Sequence, residues 1–384
     1  MKVVILSASI GEGHDLPARV LAEGIGTEVP GAETEIVDSL ALVNPLARRL
    51  VLDSSRFHSV WGNRIFDLSY KLITNVRPTR WLAGRLTQWL AARPVRRAVL
   101  ERDPDVVIST YPGASEVLGE LRRRGRIGVP VVSAITDLAA LRYWAHPGID
   151  LHLITHPESE AEARGIAPDS EIACVRGLTD ERFYEPRDPA EARRELGLPP
   201  NGTVVLVSGG GWAVGDLEGA AEEALRLEGS TVVCLCGRNE KLRAVLAERF
   251  SGQPRVVIEG FTERMPDWFA AADLLVHSTA GLTVLEAIMR GCGVVSYGWG
   301  LGHVRVNNEA YARFGLAEVA GSRAELGPAM SRALATRPAP DGSWARLPSA
   351  ASVILQLPGL RLADGELGDG GAARQEAGAH GDRH

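Results

Sequence analysis

Short apolar runs recur along the chain, each five to seven residues long and each ending in a turn of small or charged residues. In the first half they are residues 2–6, 33–37, 105–109, 129–135, 151–155 and 171–175; in the second, 203–207, 231–236, 255–259 and 273–277. Most are apolar at consecutive positions, which fits strands buried on both faces, as in parallel sheets. Helical spacing follows several of them. One helix is predicted from Asp15 to about Gly26, with Asp15 as N-cap and Pro17 in the first turn, where its missing N–H costs nothing. Others are predicted from about Asp216, from Leu282 to Arg290 closed by Gly291, and over 350–357. Strand–turn–helix repeated in this way specifies an α/β fold.

At 384 residues the chain exceeds one compact core and suits two domains. The Pro- and charge-rich stretch 177–200 reads as the linker between an N-terminal domain (1–176) and a C-terminal domain (201–345). A terminal helix (346–360) follows, then a tail (361–384) rich in Gly, Ala and charge that is expected to be disordered. The composition, 45% hydrophobic and 23% charged, is that of a globular protein. A net charge of −6 gives no global attraction to nucleic acid. Cys174, Cys234, Cys236 and Cys292 lie in or beside apolar runs without a second ligand pair for zinc, so free buried thiols and a reducing compartment are expected. The opening MKVVILSAS has no cleavage region, so no signal peptide is expected. No run approaches the roughly 20 apolar residues of a spanning helix, so any membrane contact should be peripheral.

One segment breaks the pattern. Residues 45–100 hold eleven Lys and Arg, among them Arg77, Arg80 and Arg85, against only Asp53 and Asp67. That excess of nine positive charges sits in an otherwise acidic protein, together with Trp61, Trp81 and Trp89 among aliphatic residues at helical spacing. Basic residues with interfacial aromatics suit an anionic membrane surface. The alternative is a helical insertion with its apolar face in the core and its arginines solvated.

The candidate chemistry lies in the turns. Gly11, Gly13 and His14 fall between the first strand and its helix, at the carboxyl edge where open α/β sheets bind ligands. His14 is suited to take a proton near neutral pH, or is simply a loop or capping residue. Asp137 ends the 129–135 run, where it could orient His14, line an acceptor pocket or cap the next turn. Asp103-Pro-Asp105 imitates a metal-binding pair but precedes a strand and reads as a turn. In the second half, Gly209, Gly210 and Gly211 permit close backbone approach, without a GxGxxG pattern or a Walker lysine. Ser278, Thr279, Ala280 and Gly281 make a tight turn ahead of Leu282 and Thr283, where helix N–H groups and dipole favour a phosphate. Glu286, one turn further, can reach a sugar hydroxyl pair, or is a solvated helix residue.

The stretch from Gly260 to Asn308, with Gly260-Phe261, Met265, Asp273, Gly281, Leu282-Thr283 and Glu286-Ala287, resembles the donor half of two-domain GT-B glycosyltransferases. The resemblance is nearest to the diacylglycerol glycosyltransferases and more distant to the peptidoglycan lipid-intermediate N-acetylglucosaminyltransferase. The N-terminal Gly11-Glu-Gly13-His14 loop and the run with Thr136-Asp137, Trp144, His146-Pro147 and Asp150 are similar too, as is Gly237-Arg238-Asn239. The resemblance implies two Rossmann-like domains facing a cleft, with a UDP-sugar as donor and no cofactor or metal. It implies that Glu286 holds the ribose, that Phe261 neighbours the uracil, and that His14 meets the acceptor hydroxyl. It further implies an inverting hexosyl transfer to a lipid, with diacylglycerol expected, by a cytoplasmic protein peripheral on the inner face of the cell membrane. The chain departs from the relatives at His303-Val304, where they commonly carry a sugar-binding Gln-Glu pair before the position of Asn307. Glucose, galactose and N-acetylglucosamine therefore stay open as donor sugars. Transfer to a soluble natural product, sugar-nucleotide 2-epimerisation and non-catalytic nucleotide-sugar binding are the alternatives.

Overall fold

The computed structural model describes residues 1–10, 12–43, 45, 76–279, 281–298, 302–340 and 342–360. Strands β1 (Lys2–Ser7), β2 (Glu33–Asp38), β3 (Val106–Ser109), β4 (Val131–Ile135), β5 (Leu151–Ile154) and β6 (Glu171–Cys174) form one sheet in the order β2-β1-β3-β4-β5-β6. Strands β7 (Val204–Ser208), β8 (Thr231–Leu235), β9 (Val256–Glu259), β10 (Leu274–His277), β11 (Gly293–Tyr297) and β12 (Glu318–Ala320) form the second, ordered β12-β11-β10-β7-β8-β9. Every pairing is parallel.

The unbroken apolar text of β1 follows from burial on both faces. Val3 and Ile5 pack on Ala18, Leu21 and Ile25 of the Glu12–Glu28 helix. Val4 and Leu6 pack on Val95 and Val99 of the Arg77–Arg102 helix and on Val117 and Leu118 of the Pro112–Arg123 helix. The Arg77–Arg102 helix stops where Asp103 turns left-handed at φ 43° and Asp105 accepts the Lys2 N–H at 2.7 Å. Asp103-Pro-Asp105 is therefore a helix stop and strand anchor. Residues 46–75, with Trp61, and the tail 361–384 lie outside the described residues, as do Gly11, Ala280 and the Arg77 side chain.

Two expectations are corrected. The first helix begins at Glu12 rather than after Asp15. Asp15 is no N-cap; it accepts the Ser7 hydroxyl at 2.7 Å. Pro17 is thus inside the helix, leaving the Gly13 carbonyl without its i+4 donor. Second, much of the 177–200 linker is folded onto the C-terminal core. Phe183, Ala192 and Leu198 are buried there, and Asp188 caps the Pro189–Glu195 helix through the Glu191 N–H at 2.8 Å.

The Ala350–Ile354 helix returns to the N-terminal domain, where Ala351, Ile354 and Leu357 join Leu21 and Ile25 in one apolar cluster. Ile354 is fully buried. Ile354→Ala should therefore destabilise the fold by about 2–4 kcal/mol, the usual cost of such a core truncation. Urea denaturation checks this, and an unchanged midpoint would show that the C-terminal helix is not docked.

Candidate active site

Each sheet reverses its strand order once, between β1 and β3 and between β7 and β10. Loops leaving the carboxyl ends of such neighbours diverge and open a crevice. Here the two crevices face one cleft of about 1150 Å³, lined by Glu12, Gly13 and Leu16 on one side and by the three glycines 209–211, Thr279, Leu282, Thr283 and Glu286 on the other.

His14 stands in the first helical turn after β1, against the loop that follows β3. Its Nδ1 lies 2.9 Å from the Thr110 carbonyl, and the Thr110 hydroxyl donates to the His14 carbonyl at 3.0 Å. A carbonyl only accepts, so Nδ1 carries the proton and Nε2 keeps its lone pair. Burial lowers the His14 pKa, while the Asp137 carboxylate and the Thr110 contact pull the other way. The ring is thus held neutral at pH 7, in the tautomer of a general base. Tyr111 and Trp144 flank it, with ring centroids 5.3 and 5.9 Å away. The Trp144 indole N–H donates to Asp137 Oδ2 at 2.9 Å, orienting the carboxylate.

The opposite wall is built from glycine turns packed into one another. A Cβ on Gly209 would come within 2.3 Å of the Val214 backbone. Gly237, at φ 53°, lies so close to the Gly211 carbonyl that a Cβ there would approach it to 2.5 Å. Only glycine lets these turns stack and leave backbone toward the cleft. Gly281, at φ 87°, leads into the Leu282–Met289 helix with no side-chain cap, unlike the helices capped by Asp188, Asp216 and Asn239. Its first N–H groups remain for an anion.

Glu286 lies one turn into that helix and is buried. It accepts the hydroxyl of Thr179, where the chain crosses between the domains. Burial pushes its pKa up to about 7, the Thr179 contact opposes this, and Asp180 adds to the rise.

A family model described as monogalactosyldiacylglycerol (MGDG) synthase matches residues 14–177. The processive diacylglycerol beta-glucosyltransferase of Staphylococcus carnosus (strain TM300) is 24% identical over 292 residues, covering 75% of this chain and 73% of that protein. A probable monogalactosyldiacylglycerol synthase 2, chloroplastic, of Oryza sativa subsp. indica is 28% identical over 321 residues, covering 76% of this chain and 65% of that one. The spinosyn rhamnosyltransferase SpnG superposes with a TM-score of 0.60 at 12% identity, over 93% of this chain and 100% of that one. MurG of Acinetobacter baumannii does so at 0.54 and 15%, over 92% and 97%; at such identities the likeness concerns the fold. The chain is a GT-B glycosyltransferase related to the diacylglycerol glycosyltransferases.

In this glycosyltransferase the predicted residues Phe261, Thr279, Leu282, Thr283, Glu286 and His303 line the cleft together with glycines 13, 209, 210, 211 and 237, whereas His14, Asp137, Arg238, Ser278, Gly281 and Asn307 are not part of its lining. Asn307 is fully buried and does not face the cleft; its amide is engaged with the backbone of Leu138 and Ala139, so the expected donor contact is corrected. His303 is the exposed first residue of the His303–Arg313 helix and lines the cleft. The Arg238 guanidinium lies 3.8 Å over the Phe261 ring, both on the donor side. Glu12 was missed as a site residue, although it stands inside the Gly11–His14 motif. It pairs with Arg238 across the cleft and with Arg19 at 2.6 Å. Burial works against its charge, and the two guanidiniums outweigh it to hold its pKa below the usual carboxylate value. The Trp212 indole N–H adds a second cross-cleft bond, to the Ile10 carbonyl at 3.3 Å. Thr110 and Thr179 were also missed, because pairing across 96 and 107 residues leaves no local signal.

Glu286 yields a paired prediction. An acid whose folded pKa is raised is favoured neutral in the fold, so its burial costs nothing below the unfolded value. The penalty grows as pH rises toward about 7. Glu286→Gln should therefore raise stability at pH 8, by up to about 3 kcal/mol, and the gain should vanish near pH 4.5. Glu286→Ala should weaken UDP binding by about 1–3 kcal/mol, the loss of a charge-assisted hydrogen bond. Urea melts across pH test the first expectation. Calorimetry tests the second, and equal UDP affinity would give Glu286 a purely structural role.

Proposed function

We propose that this glycosyltransferase moves a hexosyl group from a UDP-sugar to a lipid hydroxyl, with diacylglycerol as acceptor, inverting the anomeric centre in a single displacement. The observation that carries this reading is His14: a neutral imidazole with a fixed tautomer, at the switch point that faces the glycine turns. In this reading the donor diphosphate lies against the N–H groups of the three glycines and of Leu282 and Thr283. Glu286 takes the ribose hydroxyls, and Arg238 with Phe261 borders the base. Nε2 of His14 accepts the proton of the acceptor hydroxyl as its oxygen attacks the anomeric carbon. The bond from that carbon to the diphosphate breaks on the opposite face. Asp137 offsets the imidazolium, and the helix N-terminus receives the leaving charge.

The names of the relatives support a lipid acceptor, and so does the outer face of the Arg77–Arg102 helix. Trp81, Leu82, Leu86 and Trp89 are 61, 63, 53 and 77% exposed there, on one stripe that also carries Arg85, whose guanidinium lies 4.9 Å over the Trp81 ring. Large apolar groups in water at this spacing, mixed with arginine, fit the headgroup region of an anionic bilayer better than a soluble acceptor. Among the described residues no helix is long and apolar enough to cross a membrane. Peripheral attachment at the cytoplasmic face follows from this reading.

Two experiments test it. His14→Ala should lower turnover about 10²–10⁴-fold with UDP affinity intact, measured as UDP release over a panel of UDP-sugars with diacylglycerol vesicles. Turnover within about threefold of the parent would mean that another group takes the proton. The protein should also co-sediment with anionic but not neutral vesicles, more weakly at 1 M than at 0.1 M salt, as the Debye length falls from about 10 to about 3 Å. A variant with Trp81, Arg85 and Trp89 all changed to Glu should stay in the supernatant. A parent protein that ignores anionic vesicles at low salt would favour a soluble acceptor.

A further inference from the structure

The His303–Arg313 helix belongs to the second sheet's domain, yet it holds a loop of the first. Asn307 Oδ1 accepts the N–H groups of Leu138 at 2.9 Å and Ala139 at 3.1 Å. Its Nδ2 donates to the His303 carbonyl at 2.9 Å and the Ala139 carbonyl at 3.4 Å. Both lone pairs and both protons of the amide are thereby used, in a site closed to water. Leu138 and Ala139 are buried in the same apolar cluster as Leu282, Leu285 and Tyr311, so packing and hydrogen bonds agree. On the far side the Leu138 carbonyl accepts the Ser159 hydroxyl at 2.8 Å. Ala140 is left-handed at φ 65°, a conformation an alanine keeps only where its surroundings impose it.

One turn along the same helix, the Tyr311 hydroxyl accepts the Gly281 N–H at 3.2 Å. Residues i and i+4 share a helix face. This face therefore grips the 137–139 loop through Asn307 and the Gly281 turn through Tyr311. The two meet beside it: a Cβ on Gly281 would lie 3.8 Å from Asp137 Oδ1. We propose that Asn307 is a positioning residue that fixes the Asp137 carboxylate, and through it His14, relative to the donor turn held by Tyr311. The inference rests on the roles of His14 and Asp137 proposed above. It explains how this helix helps groups from two domains keep a fixed separation, alongside the packed 177–200 segment.

The test is a double-mutant cycle on turnover, with UDP affinity measured by calorimetry. Asn307→Leu should lower turnover about 10²-fold, the scale of an ångström-sized misplacement, while UDP affinity stays within about twofold. Asn307→Asp keeps an acceptor for both loop N–H groups but turns its second oxygen onto the His303 and Ala139 carbonyls, so its turnover should fall between the parent and Asn307→Leu. In an Asp137→Asn background, Asn307→Leu should cost less than about threefold more, because the group it positions is already disabled. Should Asn307→Leu fail to fold, Asn307→Ser, which cannot reach both N–H groups, carries the same expectations. Parental turnover in the folded Leu or Ser variant, or losses that multiply in full with Asp137→Asn, would overturn the inference. Parental turnover in Asp137→Asn alone would remove Asp137 from the proposed chemistry and the inference with it, an outcome read from that single variant.

Discussion

Two parallel sheets, each with its own core, become one site where Leu138 and Ala139 enter the apolar cluster of the second domain. Burying them places two backbone N–H groups and a carbonyl where no water can serve them, and leaving such groups unpaired is costly. Asn307 supplies what they need. The neighbouring Asp137, the Trp144 that orients it and the His14 beside both depend on that seal. The Gly281 turn is tied to the same helix, where the Tyr311 hydroxyl accepts its N–H.

Desolvation acts on two of the site's ionisable groups with different results. It lowers the pKa of His14 and so leaves a base where one is useful. It raises that of Glu286 to about 7, so the carboxyl proposed for the ribose is poised between neutral and charged without a ligand. Each group has a close partner, the Thr110 carbonyl for His14 and the Thr179 hydroxyl for Glu286, and in both cases desolvation outweighs it. That is the pattern of residues placed for chemistry at some cost to the fold.

The cleft is also bridged directly. Glu12, at the start of the first helix, reaches Arg238 on the donor side, and Trp212 reaches Ile10. These contacts use a carboxylate and exposed side chains, where water and salt compete, so they are weaker than the buried seal at Asn307. Along this rim the two walls are tied by partly exposed contacts, whereas Leu138 and Ala139 are held by buried ones.

The sequence by itself determined the α/β class, the ten strands it marks, and the glycine turns at their carboxyl ends, because burial of the central strands on both faces and left-handed turns each restrict residue type locally. It marked His14 and Glu286 through those turns, and the arginine- and tryptophan-rich helix through charge and spacing. The tertiary structure decided the rest. Asp15 has the letters of an N-cap, but the Ser7 hydroxyl claims its carboxylate and the helix starts at Glu12. Residues 177–200 read as a tether by composition, yet Phe183, Ala192 and Leu198 find a core to enter. Asn307 carries the chemistry of a sugar contact, and its partners lie about 170 positions away. A polar side chain shows in sequence only that it needs partners; which partners it meets is fixed by how two distant segments are packed together.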